Sequence, residues 1–132
     1  MTKSNLNSDY LIISFSKDFY KFHYSLTLAS SLKAIDKNVT VFISGYSCNF
    51  IRKEWKNYDN QNIHKKLERK NMGSINEVFS YCKDLEVKVF YCKTALDFLN
   101  ISNKDITDLI DIKPISMHSI LNSNKQGELI FI

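Results

Sequence analysis

The chain has 132 residues, 44% of them hydrophobic, with one proline, three glycines and a formal net charge of +4. These values describe one globular domain able to bury a core, and they exclude a fibrous repeat or a disordered tail. No apolar run reaches the roughly 18 residues that suggest a membrane span, and the first ten residues lack the apolar stretch of a signal peptide. The expected compartment is therefore the cytoplasm. Cys48, Cys82 and Cys92 match no zinc-ligand spacing, so reduced thiols are expected rather than a disulfide framework or a metal site. The charge is concentrated: between Arg52 and Lys70 seven basic residues face three acidic ones, which accounts for the whole net charge.

In chain order, residues 1–9 are polar and expected to be flexible. Tyr10 to Phe15 is a continuous apolar run, which suits a strand covered on both faces. Phe22, Leu26, Ala29, Leu32 and Ile35 recur at helical spacing, predicting a helix from Phe19 to Lys37 with Asp18 as its cap. Val39 to Ile43, closed by Gly45, predicts the second strand. Phe50, Ile51 and Trp55 allow a short helix, whereas residues 56–70 are polar and densely charged and predict a mobile, solvated connection. Ser74 and Glu77 form a capping box ahead of the face Ile75, Val78, Phe79, Cys82 and Leu85.

Val87 to Tyr91 predicts the third strand, and Thr94 with Asp97 a second capping box. Ser102 with Asp105 predicts a short helix ending near Leu109, and Ile110 to Lys113 a brief strand stopped by Pro114. Ser116 to Asn122 predicts the last helix and Glu128 to Ile132 the last strand. The alternation predicts a single α/β domain over residues 1–132, a three-layer α/β/α sandwich on a mostly parallel five-stranded sheet.

In open α/β sheets the functional crevice lies beyond the carboxyl ends of the strands. Here that edge is made by Ser16 to Asp18, Gly45 to Asn49 and Cys92 to Thr94. Cys92 precedes the cap residue Thr94, so the positive end of a helix and Lys93 both favour its thiolate, with Asp97 offsetting part of the gain. The competing reading of Cys92 is a small apolar residue that finishes a strand. Cys48 is a possible second, resolving or accepting thiol, and Cys82, on an apolar helix face, is a core residue. Lys17 and His23 are accessory candidates for holding an incoming group. His118 and His64 are lone histidines of the kind that more often pack than react.

The order of elements resembles the DsrE/DsrF/DsrH-like sulfur-relay family. So do the phrases Val41-Phe42-Ile43 continuing to Asn49-Phe50-Ile51-Arg52-Lys53, Val87 to Cys92 followed by Leu96-Asp97, and Leu129-Ile130-Phe131-Ile132. The nearest branch is often labelled peroxiredoxin-like. The resemblance implies a parallel sheet flanked by helices, homo- or hetero-oligomers, and sulfur carried as a persulfide on the cysteine that maps onto Cys92. Lys93-Thr94-Ala95 replaces the family's Gln-Met-Ser, Cys48 matches no family cysteine, and Asn100 stands where glycine is usual, a position asparagine tolerates. Val89 stands three residues before Cys92, so the T-x-x-C of true peroxiredoxins is absent.

The expectation is a cytoplasmic sulfur carrier that accepts sulfane sulfur on Cys92 and passes it to a partner, with no metal and no organic cofactor. The alternatives are an oligomeric binding module that holds an anionic ligand or RNA through the basic segment with Trp55 and Tyr58, and a thiol redox protein cycling Cys92 and Cys48. Homo-oligomerisation is expected from the resemblance and from Phe50, Trp55, Tyr58 and Phe98, which lie outside the clearest core faces.

Overall fold

The structure is a computed structural model and describes residues 7–132. Five strands form one sheet in the order β4-β3-β2-β1-β5, and every pairing is parallel. They are β1 (Tyr10–Ser14), β2 (Val39–Ile43), β3 (Lys88–Cys92), β4 (Lys113–Ile115) and β5 (Glu128–Phe131). The helices are α1 (Phe19–Ala34), α2 (Ile63–Arg69), α3 (Ile75–Asp84), α4 (Lys93–Leu99) and α5 (Met117–Ser123). The continuous apolar runs sit in the middle of the sheet, where β2 is buried at all five positions. The edge strands β4 and β5 carry the polar and exposed residues. Pro114 lies within β4 rather than after it, because an edge strand needs its N–H groups on one side only.

The connections β1 to β4 advance across the sheet in one direction, and the last returns past β1 to β5. With right-handed crossovers the return helix α5 covers the face opposite α1, giving the three-layer sandwich. The core joins Phe22, Leu26, Phe42, Phe50, Phe79 and Ile120, all essentially inaccessible to solvent.

Several local expectations are corrected. The helix α1 ends at Ala34, three residues early, and Asp18 sits at its cap position without a side-chain bond. Ser102 opens only a 3-10 turn, Asn103–Asp105, with no cap bond, because Arg52 bridges to Ile106 and draws the chain away from a helical path. Residues 1–6 of the expected flexible leader lie outside the described residues. Residues 7–9 are tied down: Ser8 is buried and hydrogen-bonds Thr40, and Asp9 accepts from the Asn38 N–H at 2.8 Å.

The basic segment differs most from expectation. A 3-10 turn, Trp55–Tyr58, is followed by α2, and the expected connection without an apolar face is replaced by a packed one. The Trp55 ring stacks on Phe19 at 5.1 Å, and Leu67 is buried. The Asp59 carboxylate, itself buried, accepts the N–H groups of Ile63 and His64 and the His64 Nδ1–H. One carboxylate thus satisfies two free donors at the start of α2 and holds the imidazole against Trp55. Phe50 and Trp55, expected to be free for association, are instead internal.

Candidate functional site at the carboxyl edge of the sheet

β2 and β3 run side by side in register, with Ile43 opposite Tyr91, so the chain leaves both strands at the same height. After β2, Gly45 turns the chain with φ +50°, and a Cβ there would meet the Phe15 ring at 2.3 Å. The 3-10 turn Gly45–Ile51 then folds over the strand ends. It is pinned by a serine relay: Ser14 donates to the Ser47 hydroxyl at 3.0 Å, and Ser47 donates to the Ser16 carbonyl at 2.7 Å. This places the Cys48 thiol on the carbonyl of Ile43, to which it donates at 3.4 Å. Cys48 is wholly buried, and burial pushes its thiol up to about 12.

After β3 there is no loop. Cys92 is both the last strand residue and the cap of α4, which begins at Lys93. The expected capping box of Thr94 and Asp97 is therefore absent. The strand runs one residue further than its pattern suggested, and Thr94 already lies inside the helix, exposed like Lys93. The first turn of α4 carries no acidic residue, and the Cys92 side chain makes no cap bond. Cys92 is buried as well, at 8% exposed, although less completely than Cys48 and Cys82 at 0%. On its other side Cys92 pairs with Ile115 of β4. Under the right-handed rule the connections after β3 and β4 leave toward opposite faces, so Cys92 stands at the switch point of the sheet.

Cys48 and Cys92 share this edge, Cys48 in the turn after β2 and Cys92 closing the paired strand β3. Cys82 is separate: its thiol donates to the Leu26 carbonyl of α1 at 3.6 Å, and burial raises it to about 12. His23 is not brought to the edge. Its Nε2–H donates to the Gly73 carbonyl at 3.0 Å, and burial lowers its pKa below the usual histidine value more than that bond raises it. His118 is exposed on α5, and His64 is the packed partner of Asp59. Lys17 lines a cavity of about 460 Å³ with Asn49, Tyr58 and Asp59, and β2 separates the end of β1 that it follows from Cys92. Among the described residues no group of three His, Cys, Asp or Glu side chains is arranged for a metal, and no helix is long and apolar enough to cross a membrane.

The sequence reading missed Arg52. Its Nη2 donates to the Leu99 carbonyl at the end of α4 (3.1 Å), its Nε donates to Asn49 Oδ1 (3.0 Å), and its guanidinium lies over the Tyr58 ring. One side chain thereby fixes α4 against the turn that carries Cys48. The only available signal was its place in the phrase Asn49-Phe50-Ile51-Arg52-Lys53. Of a row of rings, Phe131, Phe15, Tyr46 and Phe98, that runs exposed along the same edge, the sequence marks only Phe98.

A single parallel sheet with a cysteine at the switch point defines an α/β protein of the thiol-bearing kind. Comparison with known proteins gives the family: residues 22–131 match the DsrE/DsrF-like family, and the chain belongs to it. It is 33% identical over 116 residues to the uncharacterized protein R626 of Acanthamoeba polyphaga mimivirus, covering 82% of this chain and only 17% of that protein. Among solved structures it is similar to the YchN protein of E. coli, with a TM-score of 0.65 and 16% identity over 95% of this chain and 99% of that one. It is also similar to MTH1491 of Methanobacterium thermoautotrophicum, a protein of unknown function, with a TM-score of 0.59 and 12% identity over 93% and 96% of the two chains.

Proposed function

We propose that the chain is a sulfur-relay protein in which Cys92 accepts sulfane sulfur as a persulfide and passes it to a partner thiol. The observation that carries this reading is the position of Cys92: the last residue of β3, the cap of α4, and the least deeply buried of the three cysteines. Membership of the DsrE/DsrF-like family supports it. Attack by the Cys92 sulfur on a polysulfide or a donor persulfide forms one S–S bond and breaks another, leaving the outer sulfur on Cys92. Lys93 and Thr94, the exposed residues that follow Cys92, open α4 and favour the thiolate, and Arg52 holds the far end of that helix. Lys17 lies beyond the end of β1, two strands across the same edge, suited to steering an anionic donor.

The protein works in the cytoplasm as a homo-oligomer. The exposed row Phe131, Phe15, Tyr46 and Phe98 is the face for association, since contiguous apolar surface of this kind marks interaction sites. A second reading rests on α2, which buries His64 and Leu67 and turns Lys65, Lys66, Arg69 and Lys70 outward, a set of cations suited to an anionic ligand or RNA.

The test is intact-protein mass spectrometry after brief exposure to inorganic polysulfide. Wild type gains the mass of one sulfur, mapped by peptide to Cys92, and Cys92→Ser gains none. Equal uptake by Cys92→Ser overturns the relay reading. Salt-sensitive RNA binding that survives Cys92→Ser would favour the second.

A further inference from the structure

We propose that the cavity beyond the ends of β1 and β2 binds a nucleoside monophosphate, with the base against Tyr46 and Tyr58, the ribose at Asp18 and the phosphate at Lys17. The inference goes beyond the carrier reading and does not rest on it, since Cys92 is not among the residues that line this cavity.

Three stretches of chain converge on this cavity of about 460 Å³. Lys17 and Asp18 lead from β1 into α1, Tyr46 and Asn49 belong to the turn Gly45–Ile51, and Tyr58 to Ile63 form the connection into α2. The inner wall is apolar and rigid, because Phe19 and Phe50 are buried and pack edge to face at 5.2 Å. The outer wall stands because the basic segment is packed: Trp55 stacks on Phe19, and Asp59 ties the start of α2 and His64 together. A cavity of this size beyond the carboxyl ends of an open parallel sheet is a common setting for a small ligand.

The groups around those walls select the ligand. Tyr46 and Tyr58 are exposed rings on opposite stretches of chain. Arg52 lies over Tyr58 at 4.5 Å without lining the cavity, so the rest of that ring is left for a planar group to stack on. A guanidinium can only donate, so Asn49 turns its Oδ1 to Arg52 Nε and keeps its amide N–H groups to give. Asn60 and Gln61 add two exposed amides, each with donors and an acceptor. Aromatic rings with amides beside them are what a nucleobase needs, a face to stack on and partners for its edge. Both oxygens of Asp59 are taken, so the free carboxylate is Asp18, exposed and without a cap bond, an acceptor for ribose hydroxyls. Lys17 beside it is the one cation lining the cavity, and it suits a phosphate.

Other occupants use less of this chemistry. A metal ion would find a single free carboxylate, and an apolar chain would leave the charged and amide groups at the mouth without partners. A triphosphate would bring several negative charges to one lysine with Asp18 next to it. A base, a ribose and one phosphate engage the rings, the amides, the carboxylate and the ammonium together.

The experiment titrates wild type with the monophosphates of adenosine, guanosine, cytidine and uridine, with the free nucleosides and with ribose phosphate, by calorimetry, and maps the tightest binder by amide chemical shifts. At least one nucleotide is expected to bind with a dissociation constant below about 1 mM, and ribose phosphate at least about tenfold more weakly for want of a base to stack. The shifts are expected at residues 17–18, 46–49 and 58–63. Tyr58→Ala is expected to weaken the nucleotide at least about tenfold, and Tyr58→Phe to keep it. Lys17→Ala is expected to weaken the nucleotide about tenfold and leave the free nucleoside unchanged. Lys17 is exposed, so that variant gives its answer whether or not Tyr58→Ala folds. The inference is overturned if none of the four nucleotides binds below that limit, or if ribose phosphate binds as tightly as they do. Shifts confined to residues 64–70, as contact with the cations of α2 would give, or an unchanged affinity in Lys17→Ala, overturn it too. Each of these outcomes leaves the carrier reading standing.

Discussion

The turn after β2 and the junction after β3 occupy the same edge of the sheet, and each carries a cysteine, yet they treat sulfur in opposite ways. After β2 the chain spends seven residues in a 3-10 turn that folds inward, so Cys48 faces the strand end and donates to a carbonyl. After β3 the helix starts at once, so Cys92 stays at the rim beside Lys93 and an acid-free first helical turn. The lesson is that lying on the functional edge does not make a thiol reactive. How the main chain leaves the strand decides whether the cysteine is wholly enclosed on a buried carbonyl or keeps slight exposure, and the thiol of Cys48 ends up as hard to ionise as that of Cys82 in the core.

The largest effect that can break this contrast is in alkylation. Thiols raised from 9.0 to about 12 are neutral throughout the physiological range. Cys48 and Cys82 in native protein are therefore expected to react about a thousandfold more slowly at pH 8 than in denaturant, where all three cysteines label. Peptide mass spectrometry after timed alkylation reads this directly. Rapid native labelling of Cys48 would show that the turn does not enclose it.

Next in size is the support behind the turn. Trp55→Ala removes the ring stacked on Phe19 and is expected to cost about 3–5 kcal/mol in denaturant unfolding. Asp59→Ala leaves the N–H groups of Ile63 and His64 without their acceptor and costs about 1–3 kcal/mol. In wild type, amide exchange over residues 63–69 is expected to be protected; exchange at the free-peptide rate would restore the mobile connection expected from composition.

The turn itself is sharpened by Gly45→Ala, in which a Cβ is forced on the Phe15 ring at a positive φ. A loss of about 1–3 kcal/mol is expected, together with faster alkylation of Cys48 as the turn loosens. Unchanged stability would mean that Phe15 moves aside at no cost.

The smallest expected effect is a pH dependence at His23. Its pKa in the folded protein is lowered from 6.5, so below that value the unfolded chain binds a proton that the folded one refuses. Stability is then present above pH 6.5 and declines as pH falls through 6.5 toward the lower folded value. His23→Gln is expected to flatten that decline in urea melts taken between pH 7.5 and 5.5. An equally steep decline in the variant would place the acid sensitivity elsewhere.

The sequence alone determined what depends on local periodicity and on single-residue chemistry. The buried runs at Tyr10, Val39 and Val87 specified strands covered on both faces. The Ser74–Glu77 box formed with both of its bonds. Asn100 took the left-handed conformation where glycine is usual, and Cys92 fell at a strand end. Only the tertiary structure decided what depends on partners distant in the chain. The polar stretch 56–70 carries too few apolar residues to reveal a face, yet it is ordered because Phe19, thirty-six residues before Trp55, supplies the ring it stacks on and Asp59 supplies the missing donors' acceptor. The placing of Cys48 and Cys92 on one edge likewise follows from parallel pairing of β2 with β3, a long-range contact that no spacing between positions 48 and 92 encodes. Side-chain patterns are local and survive in a one-dimensional reading. Burial, and with it the ionisation of a thiol, is a property of what packs around the side chain, and that is fixed only when the sheet has assembled.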